Sequence, residues 1–209
     1  MLSRITLLLI ALLLLGAHAI AVFAGETDSL QLTTSVSNLS YCRNQIYDGE
    51  FDVLIKLQLT YTNASQKPII LEREPNLVVA WRAKKNLKEL ESADYTHILW
   101  MFSDDSGVTE TGNVPSANFV VLKPGEAYQS EAGLQIPSAR YLIEKGVITN
   151  GDNYLQVIIS KWSGTEKQAL FLKDRWKKTG VLWSSSVLSQ PMLLTIESQP
   201  KIVECPRNE

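Results

Sequence analysis

The chain has 209 residues, of which 45% are hydrophobic and 20% are charged, and its formal net charge is −2. This composition is too apolar for a disordered chain, and the length suits one domain once a targeting segment is removed. The small net charge gives the protein no overall field that would attract it to nucleic acid, so we expect no nucleic-acid partner.

Residues 1–24 have the three parts of a secretory signal peptide. Arg4 precedes an uncharged apolar run at residues 5–15, and small residues then follow at cleavage-type spacing. We predict cleavage after Ala24, with Ala19 as the second choice.

The alternative is a membrane anchor that is not cleaved, because residues 5–24 are just long enough to span a bilayer. No later apolar run is long enough to span, so no membrane span is expected after cleavage. We therefore predict export, to the periplasm, the cell surface or the medium, of a single domain at residues 25–209.

Cysteine usage agrees with export. Cys42 and Cys205 are the two cysteines of the chain, one near each end of the predicted domain. An even pair in an oxidising compartment indicates one disulfide. The alternatives are two unpaired thiols or pairing with another chain.

The predicted domain contains short β-rich segments separated by turn signals. In residues 51–62 an apolar residue occupies every second position and, apart from Leu54, polar residues lie between, which predicts a strand with one face on a core. Pro124 and Gly125 form a type II turn signature, and Pro191 indicates an edge position or a bulge in the last strand. The predicted strands are residues 30–37, 51–62, 68–71, 77–82, 95–102, 119–122, 127–136, 154–162 and 187–197.

One short helix is predicted near residues 166–178. Thr165 is a candidate N-cap, basic residues gather in the last turn, and Gly180 follows. Residues 84–93 and 138–146 are ambiguous between a helical turn and a loop. The pattern as a whole predicts a mainly β protein, an antiparallel immunoglobulin-like β-sandwich with this one helix.

Three motifs carry a family resemblance. Thr62-Asn63-x-Ser65-x-x-Pro68-Ile69, then Val121-Leu122-x-Pro124-Gly125-Glu126, and then strand 154–162 resemble bacterial secreted immunoglobulin-like or fibronectin-III-like proteins. The pattern is also similar to the bacterial proteinase-inhibitor sandwich family, which shares a strand ending in Asn-x-Ser and a later Leu-x-Pro-Gly. The resemblance implies a sandwich fold, and an inhibitory role would require a protruding loop, for which residues 103–116 are the candidate.

Motifs for catalysis are missing from the sequence. His97 is the one histidine left after signal removal, and no zinc-protease, nucleophile-elbow, phosphate-loop or dinucleotide motif occurs. We predict no enzyme, no cofactor and no metal, with a hydrogen-bonded structural role for His97 in its apolar strand. A carboxylate pair for hydrolysis stays open, and Asp104-Asp105 fits a solvated turn better than a calcium site.

Five tryptophans raise the question of a ligand platform. Trp81, Trp100 and Trp162 lie in predicted strands and are expected in the core. Trp176 and Trp183 flank the basic end of the helix and are the candidate exposed, ligand-contacting pair. The basic cluster at residues 173–178 is either a solvated helix end or a contact for an acidic partner or an anionic membrane.

Asn38 and Asn63 each begin an Asn-x-Ser sequon. They are glycosylation candidates in a eukaryotic secretory protein and otherwise turn residues.

The function predicted from the sequence is an exported β-sandwich binding or interaction module with an unknown protein or glycan partner. The alternatives are a carbohydrate-binding module and an exported hydrolase that uses a carboxylate pair.

Overall fold

A computed structural model describes residues 29–98 and 110–205. These residues form twelve strands, in three sheets, and three helices. The strands are β1 (Leu30–Arg43), β2 (Phe51–Asn63), β3 (Ile69–Glu72), β4 (Leu77–Lys84), β5 (Thr96–His97), β6 (Phe119–Leu122), β7 (Ala127–Ile136), β8 (Gly151–Ser160), β9 (Val181–Leu182), β10 (Ser186–Leu188), β11 (Met192–Ile196) and β12 (Ile202–Glu204). The helices are α1 (Leu87–Glu91), α2 (Ala139–Glu144) and α3 (Glu166–Trp176).

The first sheet is built around β2 and has the order β12-β1-β2-β7. Both long neighbours of β2 run antiparallel to it. The alternation read from the sequence places one face of β2 in the core, and Phe51, Val53, Ile55, Leu57, Leu59 and Tyr61 are all buried. The predicted central strand is therefore confirmed.

The second sheet has the order β10-β8-β4-β5, and β11 pairs with β8 beyond the end of β10. Buried side chains of this sheet and of the first sheet form one hydrophobic core. The prediction of a mainly β sandwich is thus confirmed. Its pairing is not wholly antiparallel, because β12 is parallel to β1 and β9 is parallel to β3.

A third, smaller sheet has the order β6-β3-β9 and packs against α3. The side chains buried between this sheet and α3 form a hydrophobic cluster that is separate from the main core. Its members are Ile70, Phe119, Trp162, Ala169, Leu172, Trp176 and Leu182.

Helix α3 begins where the sequence predicts. The Thr165 side chain accepts a hydrogen bond from the backbone N–H of Gln168 at 3.2 Å, and the Gln168 side chain accepts one from the N–H of Thr165 at 2.7 Å. This capping box satisfies two N–H groups that a helix N-terminus otherwise leaves unpaired. The helix ends at Trp176, slightly before the predicted end at residue 178.

Removal of this cap gives a first prediction. Thr165→Ala should lower the free energy of unfolding by about 1 kcal/mol, because one N–H loses its acceptor. Urea denaturation followed by circular dichroism measures the change. Thr165→Ser keeps the hydroxyl and should behave like the wild type, so an equal loss in both variants would contradict a capping role.

Several predicted boundaries are wrong. β1 continues past residue 37 to Arg43, because β2 is long enough to pair with it as far as Phe51. The last predicted strand is interrupted around Pro191 into β10 and β11, both on the edge beside β8, as a proline without an N–H favours. The ambiguous segments hold α1 and α2, so the described residues form three helices rather than one.

Two short strands, β9 and β12, were not predicted, and β5 is the described part of the predicted strand 95–102. Three predictions lie outside the described residues. They are the signal peptide with its cleavage after Ala24, the burial of Trp100, and the solvated turn at Asp104-Asp105. Most of the candidate loop 103–116 lies outside the described residues too.

Candidate functional site

Four lysine side chains line a pocket of about 380 Å³ at the C-terminal end of α3. Three of them belong to the basic cluster recognised in the sequence, and the fourth comes from the turn between β2 and β3. The lining residues are Lys67, Lys173, Lys177 and Lys178, with Pro68, Thr179, Gly180, Val181 and Leu182.

Backbone contacts bring these distant segments together. The N–H of Val181 donates to the carbonyl of Pro68 at 2.8 Å. A Cβ on Gly180 would lie 2.6 Å from the same Pro68 oxygen, so this close approach requires glycine. The side chain of Asn63 donates to the carbonyl of Lys67 at 2.8 Å and fixes the turn that carries that lysine.

The charge of the pocket is poorly compensated. Among the described residues, Lys177 is the one lysine of the four within ion-pair distance of a carboxylate, that of Asp174 at 2.9 Å. Lys67, Lys173 and Lys178 therefore add three positive charges in one concave place on a chain whose net charge is −2. A carboxylate, phosphate or sulfate group is the chemical complement of such a pocket.

A second constellation surrounds Lys161, which follows β8 and is 0% exposed. Its Nζ donates to the carbonyl of Arg73 at 2.7 Å and to Oδ1 of Asn76 at 2.8 Å. The ring centroids of Tyr61 and Tyr128 lie 5.3 and 5.7 Å from Nζ. A buried ammonium group of this kind requires hydrogen bonds and aromatic faces to replace water.

The side-chain amide of Asn76 is the centre of this constellation. Besides Lys161, Oδ1 accepts hydrogen bonds from the hydroxyls of Tyr61 at 3.3 Å and Ser130 at 3.0 Å. Its Nδ2 donates to Oε2 of Glu74 at 3.1 Å. Three donors converge on the amide oxygen, and a carboxylate contacts the amide nitrogen.

Burial shifts the acidity of the groups here. It lowers the pKa of Lys161 to about 8, against the opposing charges of Glu74 and Glu72. Burial also raises the pKa of Glu72, although two hydrogen bonds from Ser163 favour its charged form. The pKa of Tyr61 is raised by burial and by nearby Glu74.

Sequence reasoning missed this constellation, although a signal was present. Leu155, Val157 and Ile159 occupy every second position of β8 and all point into the core. Lys161 is the next residue at this two-residue spacing. A charged residue at an inward position is uncommon and indicates a specific set of partners.

The predicted exposed tryptophan pair is wrong. Trp176 is 0% exposed, because the sheet β6-β3-β9 covers the end of α3. Trp183 is 5% exposed and belongs to the main hydrophobic core. Trp176 packs edge-on against Phe119 with ring centroids 4.9 Å apart, and its Nε1 donates to the carbonyl of Gly112 at 3.0 Å. The expected burial of Trp81 and Trp162 is confirmed.

The two cysteines are joined as Cys42–Cys205, so the predicted disulfide is confirmed. These residues and Asp52 form a cluster of metal-ligand types, but sulfurs bonded to each other are not available as thiolate ligands.

The two sequons differ in the structure. Asn38 is exposed on β1, beside a bulge. Asn63 is fully buried, and its Nδ2 donates to the carbonyls of Lys67 and Leu122, both at 2.8 Å. The folded protein therefore uses Asn63 as a turn residue, with its side chain out of contact with solvent.

The remaining candidates lie at separate places. His97 is exposed on the edge strand β5 and lines an open cleft of about 770 Å³ with Trp81, and its hydrogen-bonded structural role stays a prediction. Two carboxylates, Glu89 and Asp94, line another pocket beside α1. The carboxylate-pair hypothesis stays a prediction.

Comparison with known proteins adds little. A scan against protein-family models and a search of curated proteins gave no match. Among solved structures, the chain is similar to the one titled "X-ray structure of Northeast Structural Genomics Consortium target SoR45". The two share 11% sequence identity at a TM-score of 0.37, over 88% of this chain and 98% of that chain.

Proposed function

We propose that this protein is an exported binding module that holds a carboxylate-bearing segment of a partner protein in the lysine-lined pocket. The observation that carries the proposal is the convergence of Lys67 with Lys173 and Lys178 around one concave site. The basic cluster at residues 173–178 is by itself typical of a solvated helix end. Lys67, which comes from a distant turn, makes this end one wall of a pocket.

The walls of the pocket favour an acidic protein segment over the other anionic partners. Pro68 and Val181 add apolar surface to a pocket lined by lysines, which suits a peptide that carries both acidic and apolar side chains. A flat membrane surface would not enter a concave site. A glycan would be expected to stack on exposed aromatic faces, and among the described residues no aromatic one lines this pocket.

Export rests on two supports of different kinds. The Cys42–Cys205 disulfide is consistent with an exported protein, because such bonds persist in oxidising compartments. The N-terminal pattern at residues 1–24 predicts the signal. Within the described residues, no helix has both the length and the apolar character to cross a membrane.

The test uses a labelled synthetic peptide in which Glu alternates with Leu, and a matched peptide with Gln in place of Glu. The triple variant Lys67→Gln, Lys173→Gln and Lys178→Gln should bind the Glu peptide about tenfold more weakly, at about 0.5 kcal/mol for each exposed pair. Fluorescence anisotropy at low and high salt measures the affinity, and salt should weaken the wild-type complex.

The control removes the same charge elsewhere, by Lys85→Gln, Lys88→Gln and Lys201→Gln, three exposed positions outside the pocket. It should bind like the wild type. Equal losses in both triple variants, or equal binding of the Glu and Gln peptides, would overturn the proposal. Binding to a sulfated oligosaccharide or to anionic vesicles, with no binding to the peptide, would also overturn it.

A further inference from the structure

We propose that Lys161 and Asn76 are joined by an intramolecular isopeptide bond between Nζ and Cγ, formed with release of ammonia. This modification site is independent of the proposed function, because neither residue lines the lysine pocket. The proposal rests on the arrangement of a nucleophile, an amide carbon, an oxyanion site and a proton carrier around one buried position.

The nucleophile is already placed on the amide. Nζ of Lys161 lies 2.8 Å from Oδ1 of Asn76, so the adjacent Cγ is within reach of a small rotation of the lysine end. The second hydrogen bond of Nζ, to the carbonyl of Arg73 at 2.7 Å, holds the amine in place. Such positioning supplies much of what an intramolecular acyl transfer requires.

Attack on Cγ would move negative charge onto Oδ1, where two hydroxyl groups already donate. Tyr61 and Ser130 contact this oxygen at 3.3 and 3.0 Å, and the tyrosine is 0% exposed. Preorganised donors at a developing oxyanion are the feature that most often dominates catalysis of acyl transfer.

The leaving group also has a partner. Oε2 of Glu74 lies 3.1 Å from Nδ2 of Asn76 and can carry a proton from Nζ to that nitrogen. The Nζ–Cγ bond forms, the Cγ–Nδ2 bond breaks, and Nδ2 departs as ammonia with the transferred proton. No oxidant, reductant or other reactant is needed.

The surroundings of the lysine favour its neutral amine. Lys161 is 0% exposed and lies between two tyrosine rings, and burial lowers the pKa of its amine to about 8. The charged groups that face it are the carboxylates of Glu74 and Glu72, which oppose the shift, whereas Arg73 contacts it through its backbone carbonyl. Neutral, nucleophilic amine is therefore accessible at mildly alkaline pH.

The test is the intact mass of the reduced and alkylated protein in denaturant, compared with the sequence mass for the same N-terminus. The wild type should be lighter by one ammonia. Lys161→Arg and Asn76→Ala should show full sequence mass. Asn76→Asp should lose one water instead and reach the same final mass as the wild type, because the product amide is identical.

A further variant distinguishes a lost isopeptide bond from a misfolded protein. Glu74 is exposed, so Glu74→Gln should leave the fold intact while it slows ammonia loss, and a larger uncross-linked fraction is expected. A tryptic digest should then show one branched peptide that contains both Asn76 and Lys161 in the wild type.

Asn150-Gly151 provides the internal control, because an Asn-Gly pair can also lose ammonia by closing a succinimide. That loss would persist in Lys161→Arg and would map to a linear peptide. A wild-type protein at full sequence mass would overturn the proposal. An ammonia loss that maps wholly to Asn150, or that is equal in the wild type and in Lys161→Arg, would overturn it as well.

Discussion

Trp176→Ala should lower the free energy of unfolding by about 3–5 kcal/mol, the range for large aromatic side chains removed from a core. Trp176 is 0% exposed and joins α3 to the sheet β6-β3-β9 through its contact with Phe119. Its loss leaves a cavity and takes the hydrogen-bond donor from the carbonyl of Gly112. Chemical denaturation followed by circular dichroism measures the change.

The same helix supplies the matched control. Phe171 is an aromatic residue of α3 that is 47% exposed, so Phe171→Ala should change stability by no more than about 0.5 kcal/mol. Trp176→Phe should fall between the two, because it keeps most of the packing and loses the N–H. A Trp176→Ala variant as stable as Phe171→Ala would place Trp176 outside the core and contradict the structure.

Removal of the disulfide should produce the second large effect. Cys42 and Cys205 are 163 residues apart, and closing so long a loop stabilises a protein by up to about 5 kcal/mol in the chain-entropy description. We expect Cys42→Ser with Cys205→Ser to lose a large part of that free energy. Thermal and urea unfolding of the double variant measure the loss.

Reduction provides the control for this prediction. The wild type in excess dithiothreitol should unfold like the double variant, whereas the double variant should not respond to the reagent. A double variant within about 1 kcal/mol of the oxidised wild type would contradict a stabilising role for the bridge. An equal response of both proteins to dithiothreitol would show that the reagent acts elsewhere.

The sequence predicts the sandwich well where the pattern is local. Three such features depend on neighbouring residues: the two-residue apolar period of β2, the type II turn at Pro124 and Gly125, and the N-cap at Thr165. The strand β12 was missed because three residues have no period of their own, and their pairing with β1 is a tertiary contact.

The error at Trp176 has a similar cause. Ala169, Leu172 and Trp176 follow the three- and four-residue spacing of one helix face, and all three are buried. The basic residues between them suggested a solvated end. The sequence does not reveal that a small sheet covers the apolar stripe while the lysines stay outside it.

The candidate sites depend even more on distant contacts. Lys67 reaches the basic end of α3 because Gly180 lies against Pro68, a contact between turns far apart in the chain. Asn76 and Lys161 lie on different segments as well, and the inward period of β8 predicts a buried lysine but not its partner.

The position of the disulfide also decides how the protein would transmit a mechanical load. Tension applied between the N-terminal end of β1 and residue 205 would run along β1 to Cys42 and then across the sulfur bridge. Residues 43–204, which hold both other sheets, the lysine pocket and the Lys161 constellation, lie outside that covalent path. The bridge therefore shields nearly the whole domain from extension when it is pulled by its ends.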